Sequence, residues 1–209
     1  MLDRNAVSEK TAAMLILMGG KSTRMGTDKA QLLFNGQPFW EKIAQELSDQ
    51  GNVYLSVSQT RDTEHQKMYS CIRDEVPGAG VMGALFSAFH AIPEDLIFIC
   101  ACDMPFMNRY FVQWLIKRWY AEENNGKIWD GIAVCEENGR VYTSAALYHR
   151  RIFAQLEKNI RQNHLRMHTM VREEANMLLI PSCEVQEYIS CFRNINTPEE
   201  YVNYVAQWK

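Results

Sequence analysis

An α/β fold with a mostly parallel sheet is predicted by three observations. Apolar runs of strand length, Ala13–Met18, Val53–Ser58 and Leu96–Ala101, alternate with segments whose apolar residues recur at helical spacing. The run Leu96–Ala101 is apolar throughout, the mark of a central parallel strand covered on both faces. Two of these strands run straight into ligand-type residues, glycines and cations after the first and Cys102-Asp103-Met104-Pro105 after the last, where open α/β sheets bind their ligands.

The elements follow in order. Residues 1–11 are polar and charged and read as a mobile tail, with a single domain over residues 12–209. After the first strand, Gly19-Gly20 begins a loop that carries Lys21, Arg24, Gly26, Asp28 and Lys29. Strand, glycine loop and basic residues present N–H groups and cations to phosphates, and Arg24 and Lys29 supply the charge. The loop fits neither a Walker A spacing nor the G-x-G-x-x-G fingerprint. Against it stands an ordinary strand-to-helix turn that happens to hold Gly and Lys.

Asn35-Gly36 is a turn pair. Trp40, Ile43, Ala44 and Leu47 line one helix face, and Gly51 stops that helix. Val53–Ser58 is the second strand, Arg61–Gln66 a polar loop or short helix, and Met68–Arg73 a third short strand ending at Asp74. Val76–Gly83 is a second glycine-rich stretch, leading into a buried helix through Ala84, Leu85, Ala88 and Phe89. Pro105 takes the chain out of the sheet after Leu96–Ala101. Asn108 caps a helix with Phe111, Val112, Leu115, Ile116 and Trp119 on its core face, and Asn124-Asn125-Gly126 ends it.

Ile128–Cys135 and Arg140–Tyr148 read as a hairpin around Glu137-Asn138-Gly139. Helices follow over Ile152–Ile160 and His164–Glu174, then short strands over Met177–Ile180 and Glu187–Phe192. Thr197-Pro198-Glu199-Glu200 is a capping box that starts a last helix through Tyr201, Val205 and Trp208.

Asp103 is the first candidate for chemistry. A lone carboxylate beyond a central strand suits Mg²⁺, which keeps several waters and completes its shell with substrate phosphates. Asp and Pro also favour plain turns, so this signal alone divides evenly. His164 and His168, one helical turn apart, read as a surface pair, and Arg161, Arg166 and Arg172 around them either face an anionic substrate or, as the favoured reading, form a solvated basic face.

Composition excludes several classes. Apolar residues make up 47% of 209 residues, enough for a sizeable core, and the net charge of −3 argues against a general nucleic-acid binder. No stretch reaches the roughly 20 apolar residues of a membrane span, and no secretory signal is visible. The six cysteines form no C-x-x-C pair, which fits a reduced, cytoplasmic protein.

Three stretches resemble one family, the molybdenum cofactor guanylyltransferases. LILMGGKSTRMGTDKAQLLFNGQPF, residues 15–39, resembles that family's amino-terminal signature. CACDMPF, from Cys100, resembles its C-x-C-D-x-P metal-binding segment, and FRNINTPEE, from Phe192, its carboxyl-terminal N-I-N-T-P-E motif. The resemblance implies a Rossmann-like, three-layer nucleotidyltransferase fold with a mostly parallel mixed sheet. It implies transfer of GMP from GTP to molybdopterin with release of pyrophosphate, Mg²⁺ as cofactor, and other molybdenum cofactor biosynthesis or recipient enzymes as partners. Neither nucleic acid nor membrane is expected as a partner.

By position, the resemblance implies that Leu17, Met18, Gly19, Gly20, Ser56, Asp74 and Gly80 contact the nucleotide. Arg24 and Lys29 would hold the triphosphate, Asp103 would bind nucleotide and Mg²⁺, and Asn196 would be a second polar ligand near the metal. The chain departs from the family pattern in places. Ser56 or Ser58 stands where a strand-two asparagine is expected, and G-P-L-x-G becomes Gly80-Val81-Met82-Gly83-Ala84, without the proline. Val141-Tyr142-Thr143-Ser144 also lacks a common proline. Gly19-Gly20 resembles the guanylyl branch more than the cytidylyl branch. A cytidylyl or sugar-phosphate nucleotidyltransferase, or a non-catalytic nucleotide-binding or cofactor-delivery protein, remains the alternative. An acceptor phosphate is already anionic, so the chemistry requires no general base, and the lack of a Ser/His/Asp arrangement is consistent with it.

Overall fold

The computed structural model describes residues 12–19, 29–59 and 68–206. The expected tail (1–11), Gly20 and Arg24 of the glycine loop, the polar segment Arg61–Gln66 and Trp208 lie outside the described residues.

Seven strands form one sheet. They are β1 (Ala13–Leu17), β4 (Val53–Val57), β5 (Ser70–Arg73), β6 (Leu96–Ala101), β7 (Gly131–Cys135), β8 (Ala145–His149) and β9 (Met177–Pro181). Their order across the sheet is β5-β4-β1-β6-β8-β7-β9. All pairings are parallel except those of β8, which runs antiparallel to both β6 and β7. A separate small pair, β2 (Leu33–Phe34) and β3 (Gln37–Pro38), is joined by Asn35 and Gly36 at φ +51° and +79°. Two successive residues with positive φ match the twist of the flanking strands, which is why Asn-Gly sits there.

Helices cover both faces. Met14, Ile16, Phe98 and Cys100 point to one side and pack with α1 (Phe39–Leu47) and α3 (Arg109–Asn124). Ala13, Leu15, Leu17, Ile97 and Ile99 point to the other and pack with α2 (Gly80–Ala91), α4 (Phe153–Arg161) and α5 (Met167–Glu173). Successive strand residues face opposite layers, so a strand with both faces covered is apolar at every position. That explains the LIFICA run.

Caps start two helices where the sequence places them. Asn108 Oδ1 accepts from Phe111 N–H at 3.0 Å at the start of α3. The last helix, α6 (Pro198–Ala206), begins with a reciprocal box: Glu200 N–H donates to Thr197 Oγ1 and Thr197 N–H to Glu200 Oε2, both at 3.1 Å.

Two local expectations are corrected. Glu187–Phe192 is not a strand; Ser182–Phe192 forms 3₁₀ turns. Buried Val185 and Cys191, with half-buried Tyr188 between them, recur at the three-residue period of that helix, and Phe192 is buried at its end. The Glu136–Arg140 turn forms as expected, with Glu136 N–H donating to Arg140 O at 2.8 Å. The second strand of its hairpin, however, starts only at Ala145 apart from an isolated bridge at Val141. Among the described residues, no helix is long and apolar enough to cross a membrane.

Candidate active site

The carboxyl ends of β1, β4 and β5 open into a cavity of about 540 Å³ against the amino end of α2. Leu17 and Gly19 line it from β1, Ser56 from β4, Asp74 from just after β5, and Gly78, Gly80 and Val81 from the turn into α2. The walls are short side chains and backbone, which lets a flat ligand approach closely. Leu55 and Val57 pack on the α1 side of the sheet, so Ser56 between them faces α2. Met18 behaves differently: its side chain is buried with Trp40 on the α1 side, and its N–H donates to Ser56 O at 2.9 Å.

Asp74 is held from two sides. Its N–H donates to Val57 O at 2.9 Å, and its Oδ1 accepts from Val76 N–H at 3.0 Å. Burial lifts its carboxyl above the ordinary range; the Val76 hydrogen bond opposes this and the charge of Glu75 adds to it. A Cβ at Gly83 would come within 2.9 Å of Asp74 Oδ1 and of Val76 O. Glycine there allows the first turn of α2 to lie against the carboxylate.

The Asp103 turn joins this cavity to a second one. Cys102 N–H donates to Leu17 O at 3.1 Å, so the turn leaves the sheet against the strand end that lines the first cavity. Asp103 is 6% exposed; Asn194 Nδ2 donates to its Oδ1 at 2.7 Å, and Ile195 N–H to its carbonyl at 2.9 Å. Beyond it lies a polar pocket of about 320 Å³ lined by Arg140, Tyr142, Ile189, Phe192, Arg193, Asn194 and Asn196. Tyr142 donates to Glu136 and packs on Phe192 with ring centroids 4.4 Å apart. Burial, then the bond to Glu136, pushes its hydroxyl up to about 12. Arg140 lies over the Tyr142 ring at 4.9 Å and Arg193 over Phe106 at 5.6 Å. Asn196 N–H is tied to Glu200 Oε2 at 2.6 Å.

Leu17, Gly19, Ser56, Asp74 and Gly80, singled out in the sequence, thus line one cavity. Among the described residues, Asn194 hydrogen-bonds the Asp103 carboxylate, and Asn196 lines the neighbouring pocket. Gly20 and Arg24 lie outside the described residues; the Lys29 backbone opens a 3₁₀ turn, Lys29–Gln31, and its side chain also lies outside. Sequence reasoning did not single out Gly78, Val81, Arg140, Arg193 or Asn194 as site residues. The glycine-rich stretch and the N-I-N-T motif that hold three of them were visible signals. Among the described residues no three His, Cys, Asp or Glu side chains cluster as a metal cage. The donor set is one buried carboxylate, which fits Mg²⁺ shared with phosphates better than a fully protein-built site.

Comparison with known proteins agrees with this architecture. A family model for the MobA-like NTP transferase domain matches residues 14–176. The chain is 28% identical over 205 residues to the "Probable molybdenum cofactor guanylyltransferase" of Geobacillus sp. (strain WCH70), covering 93% of this chain and 98% of that one. It is 29% identical over 196 residues to the protein of the same name from Methanothermobacter thermautotrophicus, covering 90% and 96%. Among solved structures, molybdopterin-guanine dinucleotide biosynthesis protein A from Archaeoglobus fulgidus superposes with a TM-score of 0.76 at 20% identity, covering 94% of this chain and 98% of that one.

Proposed function

The chain belongs to the MobA-like NTP transferase family, and from that premise we propose that it transfers GMP from GTP to molybdopterin, forming molybdopterin guanine dinucleotide and releasing pyrophosphate. The observation that carries this reading is the pair of cavities flanking the Asp103 turn, which is tied to the first through Cys102 and Leu17 and to the second through Asn194. One is built of backbone and short polar groups and suits a base. The other carries two guanidinium groups and suits an anionic acceptor.

An oxygen of the acceptor phosphate attacks the α-phosphorus of GTP. The bond to the β-phosphate breaks, and pyrophosphate leaves with the electron pair. Catalysis then consists of alignment and of neutralising charge as it moves to the leaving group. Leu17, Gly19, Ser56, Asp74 and Gly80 would seat the nucleoside. Arg24 and Lys29 would hold the triphosphate, and Arg140 and Arg193 the acceptor phosphate. Asp103, with Asn196 as a second polar ligand, would hold Mg²⁺, whose contribution when bound is charge neutralisation on the phosphates. Asn194 keeps the Asp103 carboxylate in one orientation through its 2.7 Å hydrogen bond. A cytoplasmic setting goes with six free thiols.

Pyrophosphate release tests the reading, measured with each of the four nucleoside triphosphates and Mg²⁺, with and without purified molybdopterin. Release with GTP alone, and only with acceptor present, is the expected result. Release with CTP instead would move the chain to the cytidylyl branch. No release with any pair would leave a binding protein.

A further inference from the structure

The backbone of the turn that carries Asp103 is held from three parts of the chain. Cys102 N–H donates to Leu17 O of β1 at 3.1 Å, and Ile195 N–H donates to Asp103 O at 2.9 Å. Within the turn, Met107 N–H donates to Met104 O at 3.0 Å. The third hold comes from α1, where Lys42 Nζ donates to Pro105 O at 3.2 Å. Pro105 is buried and has no N–H of its own, and its carbonyl takes its hydrogen bond, among the described residues, from Lys42. A buried carbonyl without a donor is costly, and a charged donor makes the stronger kind of hydrogen bond. Lys42 is itself placed by α6. Its ammonium donates to Tyr204 Oη at 3.1 Å and lies 5.9 Å from the centre of that ring. Tyr204 is 1% exposed and meets Phe39 and Phe106 edge-on, with ring centroids 5.2 and 5.0 Å away. Ile195, whose N–H holds Asp103, is buried in the same cluster.

A lysine in this place has two roles open to it, a strut between α1 and α6 or a brace on the turn. A strut needs only the bond to Tyr204. The second acceptor lies on the turn itself, two residues after Asp103. Resting on the guanylyl-transfer reading, we propose that Lys42 is a positioning residue, which acts through the Pro105 carbonyl to fix where the Asp103 carboxylate stands. The division of labour with Asn194 follows from the bonds: Asn194 orients the carboxylate, and Lys42 holds the backbone beneath it. Such a brace matters most where one carboxylate does the work alone. A cation held by a single protein carboxylate has no cage to recentre it, so its place follows the backbone that carries that carboxylate. A shift of about 1 Å in a reacting group is enough to cost on the order of 10²-fold in rate.

The experiment pairs amide hydrogen exchange on the ligand-free protein with steady-state pyrophosphate release from GTP and molybdopterin over a Mg²⁺ series. Lys42→Met keeps the stem and removes the donor, Lys42→Arg keeps a charged donor, and Tyr204→Phe cuts the bond to α6 and leaves the one to Pro105. In Lys42→Met, exchange at the Met107 and Ile195 amides is expected to quicken about tenfold, the worth of one charged hydrogen bond. Its kcat is expected to fall about tenfold, with the Mg²⁺ needed for half-maximal rate raised about threefold and both substrate KM values within about twofold. Lys42→Arg is expected to recover both the protection and the turnover, and Tyr204→Phe to leave both within about twofold of the unaltered protein. Equal losses in Lys42→Met and Tyr204→Phe would make Lys42 a strut and overturn the inference, as would a Lys42→Met protein with unchanged exchange and turnover. Should Lys42→Met fail to fold by circular dichroism, Lys42→Gln is read by the same split. These outcomes leave the guanylyl-transfer reading standing. That reading fails, and this inference with it, if the unaltered protein releases no pyrophosphate from GTP with molybdopterin present.

Discussion

The two cavities flank the Asp103 turn but are made of different material. The cavity at the ends of β1, β4 and β5 is backbone and short side chains: Gly19, Ser56, Gly78 and Gly80 on the ends of parallel strands and the start of a helix. The pocket beyond Asp103 is made of long side chains braced on aromatic rings, Arg140 over Tyr142 and Arg193 over Phe106. Backbone walls are rigid and give shape, which suits a planar base. Guanidinium groups on aromatic supports give charge and two-pronged hydrogen bonding, which suits a phosphate. Asp103 lies between them, hydrogen-bonded through Asn194 to the second and linked through Cys102 to the strand end of the first.

That division predicts that damage at the joint affects transfer and that damage on either side affects only one substrate. Asp103→Asn keeps the shape and the partner Asn194 but removes the charge. The expected outcome is a fall in turnover of about 10³-fold with GTP binding still detectable; unaltered pyrophosphate release would remove Asp103 from the chemistry. Arg140→Ala combined with Arg193→Ala should raise the acceptor KM by about 10- to 100-fold, the loss of charged hydrogen bonds, and leave the GTP dissociation constant unchanged. A comparable loss of GTP affinity would show that the pocket serves the triphosphate instead. On the other side, Gly83→Ala sets a methyl group 2.9 Å from Asp74 Oδ1. About fivefold weaker GTP binding with an unchanged acceptor KM is expected, and a symmetrical effect would break the division.

The same contrast explains what the sequence made legible. Strand alternation, the Asn35-Gly36 turn and the Thr197–Glu200 box are local, so each could be read from a few neighbouring residues. The cavity at the ends of β1, β4 and β5 was legible because glycines and strand ends are local features too. The polar pocket was not, because its walls come from residues 140–142 and 189–196, more than forty positions apart, and its geometry is settled by tertiary contacts. Tyr142 shows the cost of that. In sequence it reads as a strand residue, yet its ring packs on Phe192 and its hydroxyl bonds Glu136, so the chain leaves the ladder until Ala145. Glu187–Phe192 misleads similarly: its β-branched and aromatic residues suit a strand, but Tyr188 and Phe192 both close onto Phe111 of α3.

The smallest expected effect concerns the cost of keeping the Asp74 carboxylate partly buried in the cavity wall. Burial raises the Asp74 pKa in the folded state above the ordinary carboxylate value. A raised folded-state value means that Asp74 favours folding fully below the unfolded pKa and loses that advantage as pH rises through the folded one. At pH 7 to 8 its ionised form therefore weighs against the fold. Asp74→Asn removes the charge and keeps an oxygen for the Val76 N–H, so the ligand-free variant should melt about 1–2 °C above the unaltered protein at pH 7.5. The gap should shrink as pH falls towards the ordinary carboxylate range, where both proteins are neutral at this position. The same substitution should weaken GTP binding, because it removes the one carboxylate charge from the cavity proposed to seat the nucleoside. Differential scanning calorimetry across that pH range checks the sign. A variant that melts lower at pH 7.5 would mean that the hydrogen bond to Val76 outweighs desolvation, and that the Asp74 side of the cavity is built for stability as much as for the base.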